Sequence, residues 1–355
     1  MDSTFILTGT ASSPLETSEQ FRDFVSELDT RGFHLRLNFP AQFLISMNHN
    51  PSSYKEFLES GGDPEKTVLI LLEPRAVYPA QYSSNILNLY SHVLSPGSPR
   101  FKDSTGDFIP WPYQVSPNPL SPIDESSSLQ SKVMVNLKSG LFDFNNWDRR
   151  SKFITMINAN KVSPSKYENY GLRRVFAHRI SKEFLSVYGE LWISSFSKKI
   201  LHRLLVILFA LKSGQWPRLT HVYGNLHWKF DTAKGPIENK QVVLQSSKFS
   251  IVIENDNSYI SEKIFDSLIN GCIPIYSGLK DVSRIIPSEI YIDLPKSPDE
   301  LVFLLEKLSE TDIRRILRAT QTFLESEAFA KRWDKTSVFR QLASSIEQRF
   351  RKTHE

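Results

Sequence analysis

The sequence predicts an α/β protein of two parallel-sheet domains followed by a helical tail. Three observations carry this expectation. Wholly apolar runs such as Thr67–Leu72 (TVLILL) lack the alternation of a half-exposed strand and read as strands buried on both faces. Such runs alternate with helix-spaced stretches, as strand–helix–strand crossovers require. From Ser297 onward the spacing is helical and strand-like runs cease.

Bulk composition narrows the function. The chain has 355 residues, enough for two domains, with 40% hydrophobic and 23% charged residues, ordinary for a soluble globular protein. A net charge of +4 and a pI near 8.9 suit an anionic small molecule or an acidic membrane surface. The concentrated basic stripes of a nucleic-acid binder are missing. Cys272 is the single cysteine, so no intramolecular disulfide forms and a reducing compartment is permitted. It lies in an apolar run and is expected to be a buried, inert thiol. The first residues, MDSTFILTGTASSPLE, lack the basic start and long apolar stretch of a signal peptide. The longest apolar run, Leu204–Leu211, falls far short of the roughly 20 residues that cross a bilayer.

The first domain is expected over residues 1–113. Ser18–Leu28 has the spacing of a short amphipathic helix, while Phe33–Phe39, Thr67–Leu72 and Tyr90–Leu94 read as strands. Residues 114–149 are expected as a linker, Pro- and Ser-rich over 114–132. The second α/β domain is expected over 150–296. Phe153–Ile157 reads as a strand, Asn158–Lys161 as a polar turn and residues 172–188 as a helix. Residues 197–213 (SKKILHRLLVILFALKS) are expected as a core helix, with membrane-surface binding as the alternative. Leu219–Tyr223 reads as a strand ending at Gly224, which permits close backbone approach of a ligand. Residues 297–355 are the expected helical segment, opened by a capping box at Ser297 and Glu300 with Pro298 at the first helical position.

Residues 249–278 are the most informative. Strand Phe249–Ile253 runs into the polar turn Glu254-Asn255-Asp256-Asn257, a helix opens at Tyr259-Ile260-Ser261-Glu262-Lys263, and strand Cys272–Tyr276 closes on Gly278. Sheets of this kind bind ligands at such strand-to-helix turns. Ser261 is expected as the helix N-cap. His221, His227 and Trp228 cluster around Gly224 without cysteine or paired acids, so no metal site is expected there. His178 is expected as a packed or solvated side chain.

This segment resembles the donor-binding motif of the α-1,3-fucosyltransferases, glycosyltransferase family 10. The matching residues are Glu254-Asn255, Tyr259, Ser261-Glu262-Lys263, Pro274-Ile275 and Gly278, with Ile253 where the family carries an aromatic. Ile109–Tyr113 (IPWPY) resembles the end of the family's first domain, and Arg173-Arg174-Val175-Phe176 resembles its donor-binding helix. The resemblance is dense over 150–295, thinner over 60–113, and does not reach the first fifty residues. It implies a GT-B type fold, two Rossmann-like domains facing a cleft. It implies an inverting enzyme moving L-fucose from GDP-fucose to a hydroxyl of an N-acetylglucosamine- or glucose-containing glycan, α-1,3 linked. Partners are then a nucleotide-sugar donor and an oligosaccharide acceptor, with no nucleic acid.

Residue roles follow from the same resemblance. Glu73 is the general base, although Glu73-Pro74 lacks the serine the family usually places between the two. Arg173, with Arg174 as rival, and Lys263 stabilise the departing GDP. Asn160, Glu254, Asn255, Tyr259, Glu262 and Gly224 bind the donor, and pinning the turn to backbone amides is the other reading of Glu254. Glu254-Asn255-Asp256 is the nearest approach to a metal-binding acidic pair and fits the family's Glu-Asn position better, so a metal-free mechanism without cofactor is expected. A cytoplasmic location is expected, with peripheral association at the inner membrane face left open. The competing readings are a GT-B transferase using another nucleotide sugar and a non-catalytic nucleotide-sugar-binding protein.

Overall fold

A computed structural model describes residues 3–9, 21–95, 129–212, 228–258, 260–333 and 335–351. The chain forms two compact units: Met1–Pro112 with Lys331–Glu355, and Tyr113–Ala330.

The first unit is built on five parallel strands, β1 (Ser3–Gly9), β2 (Phe33–Leu35), β3 (Phe43–Met47), β4 (Thr67–Ile70) and β5 (His92–Leu94), in the order β2-β1-β3-β4-β5. Helix α1 (Arg22–Asp29) covers one face with Phe24 and Leu28, and α2 (Pro51–Glu59) covers the other with Tyr54 and Phe57. Burial on both faces explains why β3 and β4 are apolar at almost every position. The opening FILTG run is the core of β1, an internal strand of this sheet. The strands expected at Phe33–Phe39 and Thr67–Leu72 are shorter, ending at Leu35 and Ile70. Between β4 and β5 lies the short helix α3 (Ser84–Leu87).

The second unit begins at Tyr113 and so takes in the whole of the expected linker 114–149. Helices α4 (Leu129–Lys138) and α5 (Phe144–Asp148) lie in residues 114–149, and Asp143 caps α5 by accepting from the Asn145 and Asn146 amides. Trp147 of α5 donates from Nε1 to the Lys248 carbonyl at 3.1 Å, tying that segment to the sheet. Six parallel strands follow: β6 (Lys152–Ile157), β7 (Leu185–Tyr188), β8 (Ala233–Gly235), β9 (Ser247–Ile253), β10 (Ile273–Ser277) and β11 (Ile292–Asp293). Their order is β11-β10-β9-β6-β7-β8. The chain thus winds outward one way from β6 through β8, then restarts at β9 and winds the other way. The reversal places a topological switch point between β6 and β9, where such sheets bind ligands at the carboxyl ends.

The helix expected over 172–188 divides. Helix α6 spans Tyr170–Arg179, Ile180 turns extended, and β7 follows with alternating burial. Apolar residues at 184, 185 and 188 fit either period, and in so short a run the pairing with β6 decides. Further helices are α7 (Phe196–Lys212), α8 (Lys240–Gln245) and α9 (Glu262–Ile269). The expected helical segment 297–355 is real but divided between the units. Helices α10 (Pro298–Glu306), α11 (Glu310–Glu325) and most of α12 (Glu327–Trp333) fall within the second unit, whereas α13 (Lys335–Arg351) returns to the first. There Phe339, Leu342, Ile346 and Phe350 pack in the same core as α1 and the strands. Ser297 caps α10 through the Glu300 amide.

Arg150 ties together the amino ends of β9 and β10. Its guanidinium donates to the carbonyls of Ser247, Gly271, Leu141 and Asn270 at 2.8–3.3 Å. Buried carbonyls that lose their donor cost about 1–3 kcal/mol each. Arg150→Ala is therefore expected to destabilise the protein by about 3 kcal/mol or more, read from the urea midpoint at unchanged slope. An unchanged midpoint would show that water replaces the guanidinium without cost.

Candidate functional site

Two turns and one helix meet at the switch point of the second sheet. The first leaves β6 as Asn158-Ala159-Asn160-Lys161. It interlocks with the turn after β7: the Asn158 amide donates to the Tyr188 carbonyl and the Asn160 amide to the Glu190 carbonyl, both at 2.9 Å. Gly189 has φ +130°, and a Cβ there would collide with the Asn158 carbonyl, so the close approach needs glycine. The Trp192 indole Nε1 donates to that same carbonyl. Leu191 sits at φ +66°, a costly conformation for a branched side chain and one that clusters at ligand sites.

Held this way, two asparagines keep unused polar atoms. Asn160 donates from Nδ2 to the Leu191 carbonyl at 3.4 Å, while its Oδ1 is buried without a hydrogen-bond partner. Asn158 is buried with neither Oδ1 nor Nδ2 bonded. Buried amides without partners are rare and need an explanation, such as a ligand. Asn158 was missed in the sequence because an asparagine ending a strand reads as turn chemistry.

The second turn follows β9. Glu254 is fully buried, and its carboxylate accepts from the Ser261 amide at 2.8 Å and the Ser261 hydroxyl at 2.7 Å. Ser261 in turn caps α9 through the Lys263 amide, as expected. The Lys263 ammonium lies 2.8 Å from Ser261 Oγ, 3.4 Å from Glu254 Oε2 and 4.0 Å from Glu262 Oε1. Glu254 therefore pins the turn and also aims Lys263. Burial pushes the Glu262 carboxyl up, but Lys263 and Lys240 outweigh it and hold the group below its ordinary value. Glu262 stays an ionised acceptor, partly exposed at the first turn of α9. Lys240 is a second residue the sequence reading missed; it is fixed by an ion pair with Asp266.

The third contribution is α6. Arg173 and Arg174 are 3% and 2% exposed, so neither lies on a solvated helix face. Arg173 donates from Nε and Nη2 to the Ile253 carbonyl, at 3.1 and 2.5 Å, and from Nη2 to Asn255 Oδ1 at 2.8 Å. Its guanidinium stacks over the Tyr170 ring at 4.8 Å. Arg174 donates from Nη1 to the Lys161 carbonyl at 2.8 Å, and its Nε is buried without a partner. Burial lowers both groups, Arg174 to about 10, which leaves it cationic at neutral pH. Each arginine thus grips one turn of the switch point, Arg173 that of β9 and Arg174 that of β6. Burial disfavours both cations, the Glu168 carboxylate favours both, and Glu254 also favours Arg173. Paired, buried cations at a ligand-binding turn mark a candidate anion site.

The structure brings together Asn160, Arg173, Glu254, Asn255, Glu262 and Lys263. Tyr259 and Gly224 lie outside the described residues, as do His221, His227 and the expected strand Leu219–Tyr223. His178 stacks on Trp228 at 4.4 Å and shares a hydrogen bond with the Lys229 carbonyl. Cys272 is buried, and burial pushes its thiol up to about 12. Gly278 closes the motif: a Cβ there would strike the Tyr276 hydroxyl and the Glu254 side chain. Gly278→Ala is expected to displace Glu254, loosen Lys263 and destabilise the protein by about 1–3 kcal/mol, read from the urea midpoint. An unchanged midpoint would show that the turn accepts the added methyl without moving Glu254.

Glu73 belongs to the first unit. It lies three residues beyond the end of β4, in a turn held through its backbone. Its amide donates to Asn48 Oδ1 at 3.2 Å, and its carbonyl accepts from Gln81 Nε2 at 3.0 Å and the Tyr82 hydroxyl at 2.7 Å. Asn48, at φ +61°, also accepts from the Leu72 amide at 2.8 Å. The Glu73 backbone is therefore tied to Asn48, Gln81 and Tyr82.

Among the described residues, no helix is long and apolar enough to cross a membrane. The fold is similar to several solved structures. A crystal structure of alpha1,3-fucosyltransferase superposes with a TM-score of 0.54 at 14% identity, over 98% of this chain and 90% of that one. An alpha1,3-fucosyltransferase with GDP gives 0.53 at 13%, over 98% and 91%. Anabaena Alr3699/HepE in complex with UDP-glucose gives 0.53 at 8%, over 98% and 100%. At such identities the likeness shows the fold, that of GT-B glycosyltransferases. No curated protein matches the sequence. Residues 219–318 match the family described as glycosyltransferase family 10 (fucosyltransferase), C-term, which spans β8 through most of α11 and contains the Glu254–Lys263 turn. Residues 219–318 thus bear the likeness to the family 10 fucosyltransferases that the sequence motif suggested, and the fold is that of GT-B glycosyltransferases.

Proposed function

We propose that the protein transfers L-fucose from GDP-fucose to a hydroxyl of an N-acetylglucosamine- or glucose-containing glycan, with inversion and α-1,3 linkage. The observation that carries this reading is the cationic arrangement at the switch point, where Arg173 and Lys263 flank the Glu254-Asn255 turn.

In the proposed reaction the diphosphate lies at this turn. The bonds of Arg173 to Ile253 and Asn255 use Nε and Nη2, which orients the guanidinium and leaves Nη1 to meet a phosphate oxygen. Lys263 supplies a second charge at the start of α9, where the helix dipole also favours an anion. Asn160 and Asn255 offer amide groups, and Glu262 accepts from donor hydroxyls. As the bond from the fucosyl carbon to GDP breaks, its electron pair leaves with GDP, and the sugar becomes oxocarbenium-like. The acceptor oxygen forms the new bond to that carbon and gives its proton to the Glu73 carboxylate. Side-chain cations take the part that a divalent ion plays elsewhere, and no cofactor is required.

The test is donor turnover. GDP-fucose, GDP-mannose and UDP-glucose are offered with a panel of oligosaccharides, and product linkage is determined. GDP-fucose alone is expected to be consumed, at the same rate with and without chelator. Loss of turnover on chelation would sink the metal-free mechanism. Turnover of UDP-glucose instead would favour another nucleotide sugar, the reading that the similar fold of Alr3699/HepE supports. Tight binding of GDP-fucose without slow hydrolysis or transfer would leave a binding protein.

A further inference from the structure

Helix α7 is turned inside out. Its leucines at 201, 204, 205, 208 and 211 recur at the spacing that lines one face of a helix, and this pattern predicts a core-facing stripe. In the structure all five are between 44% and 62% exposed, which overturns the expected core helix. The buried side is occupied by Arg203 and Ala210. Phe196, at the amino end of the helix, is 52% exposed, and Ile193 just before it is 64% exposed. Scattered apolar residues on a surface need no explanation, but a contiguous stripe along a helix roughly 25 Å long marks an interaction surface.

Charge decides which partner fits. The helix carries Lys198, Lys199, His202, Arg203 and Lys212 and no aspartate or glutamate. Pairing with the same helix of a second copy would bury the leucines but set basic residues against basic residues. The adjoining residues 213–227 (SGQWPRLTHVYGNLH) contain no acid either, so they offer the helix no compensating charge. A bilayer surface with acidic head groups meets both requirements at once, with hydrocarbon for the leucines and negative charge for the lysines. The helix is too short and too charged to span.

We propose that α7 docks the protein on an anionic bilayer surface, lying flat with Leu201, Leu204, Leu205, Leu208 and Leu211 in the acyl boundary and Lys198 among the head groups. This stands apart from the donor reading, because none of these side chains belongs to the switch-point site.

The experiment is sedimentation of the full chain with vesicles of phosphatidylcholine alone, or of equal parts phosphatidylcholine and phosphatidylglycerol. Wild type is expected to sediment with the mixed vesicles, to be released by salt, and to stay in solution with phosphatidylcholine alone. The triple variant Leu201→Gln, Leu205→Gln, Leu208→Gln is expected to lose binding by about tenfold or more. Its circular dichroism and soluble GDP-fucose turnover should match wild type. Lys198→Glu, which keeps every leucine, is expected to weaken binding to the mixed vesicles and to leave circular dichroism unchanged. The proposal is overturned if wild type ignores both vesicles, or if the triple variant sediments as well as wild type. It is equally overturned if wild type is a dimer that the triple variant makes monomeric, with no vesicle binding by either.

Discussion

Replacing Arg173 with alanine is expected to lower turnover about 10²–10³-fold and to weaken GDP binding in parallel, the usual loss when a preorganised charge-stabilising donor is removed. The geometry makes this residue more than a point charge. Its guanidinium bridges the Ile253 carbonyl and Asn255 Oδ1, so it sets the position of the turn that also bears Glu254. Arg173→Lys is expected to recover little, because one ammonium cannot reproduce the fork that holds both oxygens and still face a phosphate. A purely structural arginine would behave differently: stability would fall by about 1–3 kcal/mol while the residual folded protein bound GDP normally. Calorimetric GDP affinity, measured well below the melting temperature, separates the two. Unchanged affinity in Arg173→Ala would remove the residue from the donor site and shift attention to Arg174, whose Nε is buried without a partner.

The second large effect is expected at Glu73. Glu73→Gln should reduce kcat by about 10²–10⁴-fold, the range for a lost general base, with GDP affinity unaltered. The acidic limb of the kcat/KM profile should vanish, because the group that must be ionised is gone. Glutamine keeps the length of the side chain, and Asn48, Gln81 and Tyr82 hold the Glu73 backbone, so circular dichroism is expected to match wild type. A stable variant with full turnover and an intact acidic limb would exclude Glu73 as the base. The two variants thus differ in kind: Arg173→Ala moves donor binding, and Glu73→Gln moves the pH profile.

Glu254, Ser261 and Lys263 were legible in the sequence because they sit within ten residues, where helix capping and strand-end chemistry act locally. The cap at Ser261 and the inert Cys272 follow from such local rules, and the structure shows both. The helix expected over 172–188 fails for a related reason. Leu185 to Tyr188 is too short for its own period to choose, and pairing with β6 makes it a strand.

By itself the sequence determined the fold class, the likeness to family 10 and the strand–turn–helix–strand unit that carries that likeness. These depend on periodicity and on residues near one another in the chain. Only the tertiary structure decided the strand order that puts Asn158 beside the Glu254 turn, the burial of Arg173 and Arg174, the return of α13 to the first sheet, and the outward face of α7. Each of these is set by contacts between segments far apart in sequence. Periodicity says that a helix has an apolar face, but only packing says which way that face looks.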